Sequence, residues 1–345
     1  MKLALAQSSR ICQPCASSWK SATLGWRWRR GRRTSPHNTI RGDDNNKPGY
    51  AMSTSPTDST PPCVAGRRAG MSMRALLRVL LNGYDYLVIY LGVVWLGLLC
   101  LAWTPIALLL YPLLSRRRGR SLGRYVIMAV FRLYIASLSA SRRFSFDLEA
   151  LDALRNEPAL ILAPNHPCLL DAVMVMSRLP NVACVLKAEL MNNIFLGAGS
   201  RLARYIRNEP VRRMVQLAIG DFDCGSHLLL FPEGTRTTAF PVNPLKGSIA
   251  LIAHRAQVPV QTILIETDSK YLSKGWSLFR KPTMPIHYRV RLGRRFDPPQ
   301  QTQGFMTELE QYFAHELVHG SAFYPTNSLP TQAERPPELN VRSPS

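Results

Sequence analysis

The 345-residue sequence has few acidic residues and no regular cysteine framework. Asp and Glu number 22 against 43 Lys and Arg, which gives a formal net charge of +21 at pH 7. So basic a chain predicts an anionic partner, either nucleic acid or a negatively charged membrane surface. The seven cysteines are odd in number and scattered, which excludes a disulfide framework and favours a reducing compartment.

The N-terminal 70 residues lack the hydrophobic periodicity of a folded segment, and no acidic residue precedes Asp43. Cys12 and Cys15 form a C-x-x-C, but no second pair and no nearby histidine completes a metal site, so we expect no metal. Polar residues follow Met1 to Ala6, where a secretory signal would require an apolar core.

Three interpretations of residues 1–70 stay open. An acid-poor start rich in Ser and Arg is typical of an organelle targeting segment. The basic run 26–33, interleaved with Trp, would suit nucleic acid. The third is a disordered basic extension, for which translation from an upstream, mis-assigned start codon is one origin. We favour the third because structured sequence begins at Met71 and Met73. Residues 321–345 are rich in Pro and Ser and predict a disordered tail.

Residues 84–114 form an almost wholly apolar run, and about 20 such residues suffice to cross a bilayer. Thr104-Pro105 interrupts the run, where proline costs a helix roughly 3 kcal/mol, and both flanks are basic. Because positive charge marks the cytoplasmic side, we expect two short helices that enter the membrane and return. A single tilted span and a buried core helix are the alternatives. An amphipathic helix is predicted over 126–138, so residues 71–140 are interpreted as a membrane anchor.

Strands alternate with helices across residues 141–320. The apolar runs 159–163 and 228–230 are bounded by Pro, Gly and Asn, as is typical of parallel strands that are covered on both faces. This alternation predicts an α/β domain with a mostly parallel sheet flanked by helices. Sites in such sheets lie past the carboxyl ends of the strands, and polar side chains follow both runs.

The first of these strands is followed by Asn165-His166-x₄-Asp171. A carboxylate about one helical turn beyond a histidine can hold one ring nitrogen, which fixes the tautomer and leaves the other nitrogen free to take a proton. Such a general base contributes about 10²–10⁴-fold in rate. Taken alone, the spacing would equally fit a histidine that only ends the strand. Cys168 offers a thiol nucleophile, which we do not favour because no activating base adjoins it.

The second strand is followed by Phe231-Pro232-Glu233-Gly234-Thr235-Arg236. The glycine permits a tight turn, and an arginine guanidinium is suited to hold a phosphate through two parallel hydrogen bonds. The glutamate can bond hydroxyl groups of an acceptor molecule. The alternative is a structural turn with an internal Glu–Arg ion pair.

Together these two motifs resemble those of the glycerolipid acyltransferase family, whose best-known members acylate 1-acyl-glycerol-3-phosphate. Three further segments, 187–190, 245–247 and 258–260, are similar to other blocks of the family, so the resemblance covers residues 141–300. It implies a membrane-embedded helical pair before the catalytic domain. It also implies transfer of an acyl group from acyl-CoA or acyl-ACP to a lyso-lipid, on the cytoplasmic face of a membrane and without a metal or bound cofactor. Membrane lipids, and not nucleic acid, are the expected partners.

By this resemblance, His166 deprotonates an acceptor hydroxyl, which attacks the donor thioester directly, and Asp171 orients His166. The implied substrate-binding residues are Glu233, Gly234, Thr235, Arg236, Arg207 and Lys246. The segment around Arg207 departs from the family's hydrophobic-Asp-Arg order, so another lyso-lipid, such as an ornithine-lipid precursor, is an alternative acceptor to 1-acyl-glycerol-3-phosphate. A thioesterase, and a non-catalytic lipid- or nucleic-acid-binding protein, are the alternatives from other classes.

Overall fold

The computed structural model describes residues 73–208, 210–277, 280–320 and 323. The disordered extension predicted over 1–70 lies outside the described residues, as does the tail predicted over 321–345 apart from Phe323. The helices are α1 (Met73–Leu113), α2 (Arg116–Ala140), α3 (Asp171–Met176), α4 (Ala188–Met191), α5 (Gly197–Leu202), α6 (Val211–Phe222), α7 (Ser248–Ala256) and α8 (Thr302–His319), with a 3₁₀ helix at Glu149–Leu154. The strands are β1 (Phe144–Asp147), β2 (Ile161–Pro164), β3 (Val182–Leu186), β4 (Ile206–Arg207), β5 (His227–Leu229), β6 (Val260–Thr267) and β7 (Ile286–Phe296).

The seven strands form one sheet in the order β1-β7-β6-β2-β5-β3-β4. Every neighbouring pair is parallel except β6 and β7. The predicted α/β fold with a mostly parallel sheet is confirmed. Strands β6, β2, β5, β3 and β4 all end at the same edge, called here the carboxyl edge. The opposite edge, where they begin, is called the amino edge.

Apolar side chains cover both faces of the sheet, as expected for central parallel strands. In β2, Ile161 faces the layer formed by α6, α7 and α8, whereas Leu162 faces the layer formed by α2 and α3. All residues of β2 and β6 are buried. The alternation of side chains along each strand therefore divides the core into two layers, and polar groups are left to the strand ends.

Helix α1 departs from its prediction. The two short helices expected within 84–114 are wrong, since α1 runs unbroken from Met73 to Leu113 and contains Pro105 and Pro112. A tertiary contact accompanies the proline: the Thr104 hydroxyl lies 3.1 Å from Cys100 O and 3.0 Å from Ile194 O. The second helix of the pair is α2, which contains the amphipathic helix predicted over 126–138 and begins ten residues before it.

Helices α1 and α2 differ in how they pack. Both are long and apolar enough to cross a membrane by length and composition. In the most apolar stretch of α1 only 11% of residues are buried, against 44% in α2. Helix α2 is held by Arg124, which is 2% exposed and donates to Ala203 O, Asn181 Oδ1, Ser226 Oγ and Asp221 Oδ1 at 2.8–3.1 Å. It is therefore an integral part of the domain, whereas α1 is mostly exposed.

Two details lay beyond sequence interpretation. Strand β4 is only two residues long, and Ile206 and Arg207 pair with the end of β3. Helix α6 begins at Val211, after Pro210 as its N-cap residue.

Candidate active site

His166 and Asp171 lie at the carboxyl edge, directly after β2. His166 Nδ1 is 2.8 Å from Asp171 Oδ2. The aspartate is fully buried, while the histidine side chain is 17% exposed. The ring of His166 stacks on Phe231 of the second motif, with ring centroids 4.0 Å apart. Among the described residues, no hydrogen bond to the other ring nitrogen, Nε2, is formed. The predicted pairing is therefore present, with one nitrogen held and the other open.

Asp171 accepts two further hydrogen bonds, both from Cys168. The backbone N–H of Cys168 donates to Oδ2 at 2.8 Å, and its thiol donates to Oδ1 at 2.9 Å. Burial raises the pKa of Asp171, an effect that its bonds to His166 and Cys168 oppose. Burial and the neighbouring Asp171 charge raise the pKa of the Cys168 thiol well above its ordinary value. This thiol is buried and directed at the carboxylate, so it is unsuited to act as a nucleophile.

Glu233 is 1% exposed and joins the two motifs. Its Oε1 accepts from His166 N at 2.9 Å and from Thr237 Oγ1 at 2.7 Å, and its Oε2 accepts from Asn243 N at 3.0 Å. Thr237 N also donates to His166 O at 2.7 Å. The carboxylate thus holds the backbone that carries His166. Sequence reasoning missed Thr237 and Asn243, because nothing in their local pattern signals these contacts.

Arg236 is engaged by the loop between β6 and β7. Its Nη1 donates to Leu272 O at 2.9 Å and to Ser273 O at 3.0 Å. Leu272 O also accepts from Leu169 N at 3.1 Å, and Leu272 adopts a positive φ of 57°. The loop therefore bonds to both motifs. The internal Glu–Arg pair considered for the second motif is not formed in the described part of the chain.

Gly234 forms the turn predicted for the second motif, with φ at +66°. Its backbone lies beneath Lys246, so a Cβ at this position would be 3.3 Å from Lys246 Cγ. Lys246 N donates to Pro232 O at 2.7 Å, and the Lys246 side chain is exposed. Thr235 is half-buried within the same turn. The fold thus brings an exposed ammonium-bearing side chain to the open side of the turn.

Arg207 ends β4 at the same carboxyl edge and is exposed. Strands β5 and β3 separate β4 from β2. At roughly 4.8 Å between neighbouring strands, its backbone is about 14 Å from the β2 end that carries His166. Arg207 therefore lies at the carboxyl edge, as the other predicted site residues do, but at the margin of that edge. Among the described residues, no group of three or more His, Cys, Asp or Glu side chains is placed to hold a metal ion.

Comparison with known proteins bears on this arrangement. Residues 145–266 match the family model described as Acyltransferase. These residues form an acyltransferase domain. The matched segment contains both motifs, from His166 to Arg236, and the resemblance inferred from them is confirmed. This acyltransferase is 24% identical over 183 residues to a 1-acyl-sn-glycerol-3-phosphate acyltransferase of Pseudomonas aeruginosa. The aligned region covers 51% of this chain and 70% of the relative.

A solved structure supports the fold. The crystal structure of the 1-acyl-sn-glycerophosphate (LPA) acyltransferase PlsC from Thermotoga maritima matches with a TM-score of 0.51 and 18% identity. The match covers 73% of this acyltransferase and the whole of that chain. At this identity the likeness concerns architecture, namely the sheet with its flanking helices.

Proposed function

We propose that this acyltransferase moves a fatty acyl group from acyl-CoA or acyl-ACP to a lysophospholipid, with 1-acyl-glycerol-3-phosphate as the acceptor and phosphatidic acid as the product. The observation that carries the proposal is the His166–Asp171 pair, 2.8 Å apart, with an open ring nitrogen at the carboxyl edge. The P. aeruginosa relative, by its name, acts on the same acceptor.

In this mechanism Asp171 holds His166 in the tautomer with the proton on Nδ1, so that Nε2 is the base. The acceptor hydroxyl gives its proton to Nε2 while its oxygen attacks the thioester carbonyl. The new ester C–O bond forms, the C–S bond breaks, and His166 returns the proton to the thiolate that leaves. The negative charge of buried Asp171 stabilises the imidazolium between these two steps.

For the acceptor phosphate we propose Lys246 as the principal contact. Its side chain is exposed above Gly234, whereas Arg236 already donates through Nη1 to two carbonyl groups. Arg236 retains its other donors for a phosphate oxygen, and Arg207 at the margin of the edge adds positive charge. Glu233, with both oxygens bonded within the protein, acts by positioning His166 and not by binding the acceptor hydroxyl.

We further propose that α1 attaches the enzyme to the cytoplasmic face of a membrane by lying in its surface. Tyr84 Oη donates to Ser141 O, and Tyr111 Oη accepts from Arg204 Nη1. These two contacts are about 40 Å apart at 1.5 Å per residue. A helix bound to the domain at both ends of such a length is suited to lie along a bilayer, not to cross it. Exposed apolar side chains lie along its length: Leu87, Leu91, Val94, Leu98, Leu101 and Leu108. The first four of them also line an open groove beside the end of α2.

The decisive experiment uses the full chain reconstituted with lipid. Labelled acyl-CoA or acyl-ACP is supplied with and without 1-acyl-glycerol-3-phosphate, and the lipid products are separated. We expect a diacyl product from the wild type and a loss of at least about 10²-fold in His166→Ala. His315→Ala, which removes an exposed histidine of α8, is the matched control and should keep full activity.

The arms of this experiment separate the alternatives. Fatty acid released equally with and without acceptor would replace the proposal by a thioesterase. Product formed only when 1-acyl-glycerol-3-phosphate is replaced by a phosphate-free lyso-lipid would change the acceptor and remove the role of Lys246. Equal product from wild type and His166→Ala would contradict the general-base mechanism.

A further inference from the structure

A basic cleft of about 430 Å³ lies between the start of α2 and the end of α6. Its lining includes four arginines: Arg116, Arg117, Arg120 and Arg204. Asp221 also lines it, and its Oδ1 accepts from Arg120 Nη1 at 3.1 Å and from buried Arg124 Nη2 at 3.0 Å. The carboxylate in the cleft is thus already neutralised, and the cleft carries an excess of positive charge.

The first turn of α2 adds to this charge. Ser115 caps the helix by accepting from Arg118 N, and the first turn contains no acidic residue. The N-terminus of a helix carries the positive end of the helix dipole, so Arg116 and Arg117 are at the end where cations are unfavourable. An anion bound beside them relieves this repulsion.

Arg204 provides an observation that is independent of α2. Its Nη1 donates to Tyr111 Oη at 2.9 Å, and its guanidinium lies 4.6 Å from the centroid of the Tyr111 ring. Its Nε is buried and has no hydrogen-bond partner among the described residues. Tyr111 thus fixes Arg204 at the wall of the cleft, where its guanidinium adds to the positive charge of the lining.

The position of the cleft separates it from the reaction. Arg124, behind the cleft, donates to Asn181 and Ser226, which directly precede β3 and β5. The cleft therefore lies at the amino edge of the sheet, opposite His166. It adjoins the C-terminal end of α1, where Leu109 and Leu113 are 65% and 69% exposed. A ligand here meets positive charge and apolar surface together.

We infer that this arginine cleft binds the phosphate group of an anionic phospholipid of the membrane to which α1 attaches. Guanidinium groups bind phosphate oxygens through paired hydrogen bonds, and the acyl chains of the lipid follow the exposed leucines at the end of α1. The inference rests on the proposed attachment of α1 and adds to it a second lipid contact, remote from the catalytic residues.

The test is flotation of the full chain with vesicles of phosphatidylcholine alone or of phosphatidylcholine with phosphatidylglycerol. The cleft variant is Arg116→Gln/Arg117→Gln, and Arg212→Gln/Arg255→Gln removes the same charge from exposed positions outside the cleft. One arginine near an anionic surface is worth about fivefold in affinity. We expect the affinity of the cleft variant for anionic vesicles to fall about 25-fold, several times more than that of the control variant. The affinity of both variants for neutral vesicles should not change.

A charge-preserving variant sharpens the result. Arg116→Lys/Arg117→Lys keeps the charge but removes the paired hydrogen bonds, so we expect its affinity for anionic vesicles to fall several-fold as well. Equal losses of affinity in the two glutamine variants, or full binding by the lysine variant, would show a diffuse electrostatic attraction. Either result would contradict the proposal that the cleft binds a lipid phosphate. Displacement by soluble glycerol 3-phosphate at matched ionic strength would assign the cleft to a free phosphate ester. Loss of binding to neutral vesicles in all proteins, wild type included, would instead contradict the attachment of α1.

Discussion

His166 and His227 lie at the two ends of neighbouring strands, and their surroundings give them opposite properties. His166 follows β2 at the carboxyl edge, is partly exposed and faces a buried carboxylate. His227 begins β5 at the amino edge, is 4% exposed, and its Nε2 donates to Leu154 O at 3.0 Å. Burial lowers the pKa of His227, which keeps it neutral. The imidazole is the same, but only the first has both a partner that stabilises its cation and access for a substrate.

The largest effect expected from this comparison follows loss of the carboxylate beside His166. In Asp171→Asn the amide no longer fixes the Nδ1–H tautomer or stabilises the imidazolium, so we expect kcat to fall by about 10⁴-fold. The fold should persist, because the substitution removes a buried charge that desolvation disfavours, although the amide NH₂ must face one of the donors that now bond to Asp171 and some unfolding free energy is lost. Steady-state kinetics with circular dichroism measure both properties.

Asp223→Asn serves as the control, since Asp223 is an exposed aspartate just after α6. It should leave kcat unchanged. An Asp171→Asn enzyme that retains wild-type kcat would mean that His166 does not work as a carboxylate-paired base, and the contrast with His227 would lose its functional meaning.

A smaller effect is expected at Glu233, which tests whether the second motif positions His166 or binds the acceptor. In Glu233→Gln an amide NH₂ must face one of the three donors now bonded to the carboxylate. Hydrogen bonds to a charged group contribute about 1.5–3 kcal/mol, so we expect a loss of unfolding free energy of this size together with a lower kcat. Chemical denaturation and kinetics with varied acceptor concentration measure the two quantities.

Glu308→Gln changes an exposed glutamate of α8 that pairs with Arg294, and should alter stability by less than about 0.5 kcal/mol. If Glu233→Gln instead kept the stability of the wild type and raised only the KM for the acceptor, Glu233 would be a binding residue, as the family resemblance implied.

The sequence was informative where structure depends on local pattern. The apolar runs before His166 and Glu233 predicted β2 and β5 within two residues. The spacing of His166 and Asp171 allowed their contact, and only the second motif favoured it over a histidine that merely ends the strand. It was uninformative where a partner is distant in the chain. The bonds from Arg236 to Leu272 and Ser273 depend on a loop some 36 residues away, and the continuity of α1 through Pro105 accompanies packing against Ile194. Such contacts arise only when the sheet assembles, so no local signal could have revealed them.

The smallest effect concerns His227 and the dependence of stability on pH. Its folded-state pKa lies below the ordinary value of about 6.5 because burial disfavours the cation. The unfolded chain therefore binds more protons than the native protein once pH falls below 6.5, and the free energy of unfolding decreases with falling pH in that window. Above pH 6.5 the folded and unfolded states are both neutral at this residue, so its contribution to the unfolding free energy is constant.

In His227→Gln, whose amide can still donate to Leu154 O, this part of the pH dependence should disappear while kcat near neutral pH is unchanged. Denaturation curves at a series of pH values, recorded for the variant and for His315→Ala, measure the difference. If the unfolding free energy of His227→Gln still decreased with falling pH as it does in the wild type, other groups would be responsible for that loss of stability. His227 would then resemble an exposed histidine in its effect on stability.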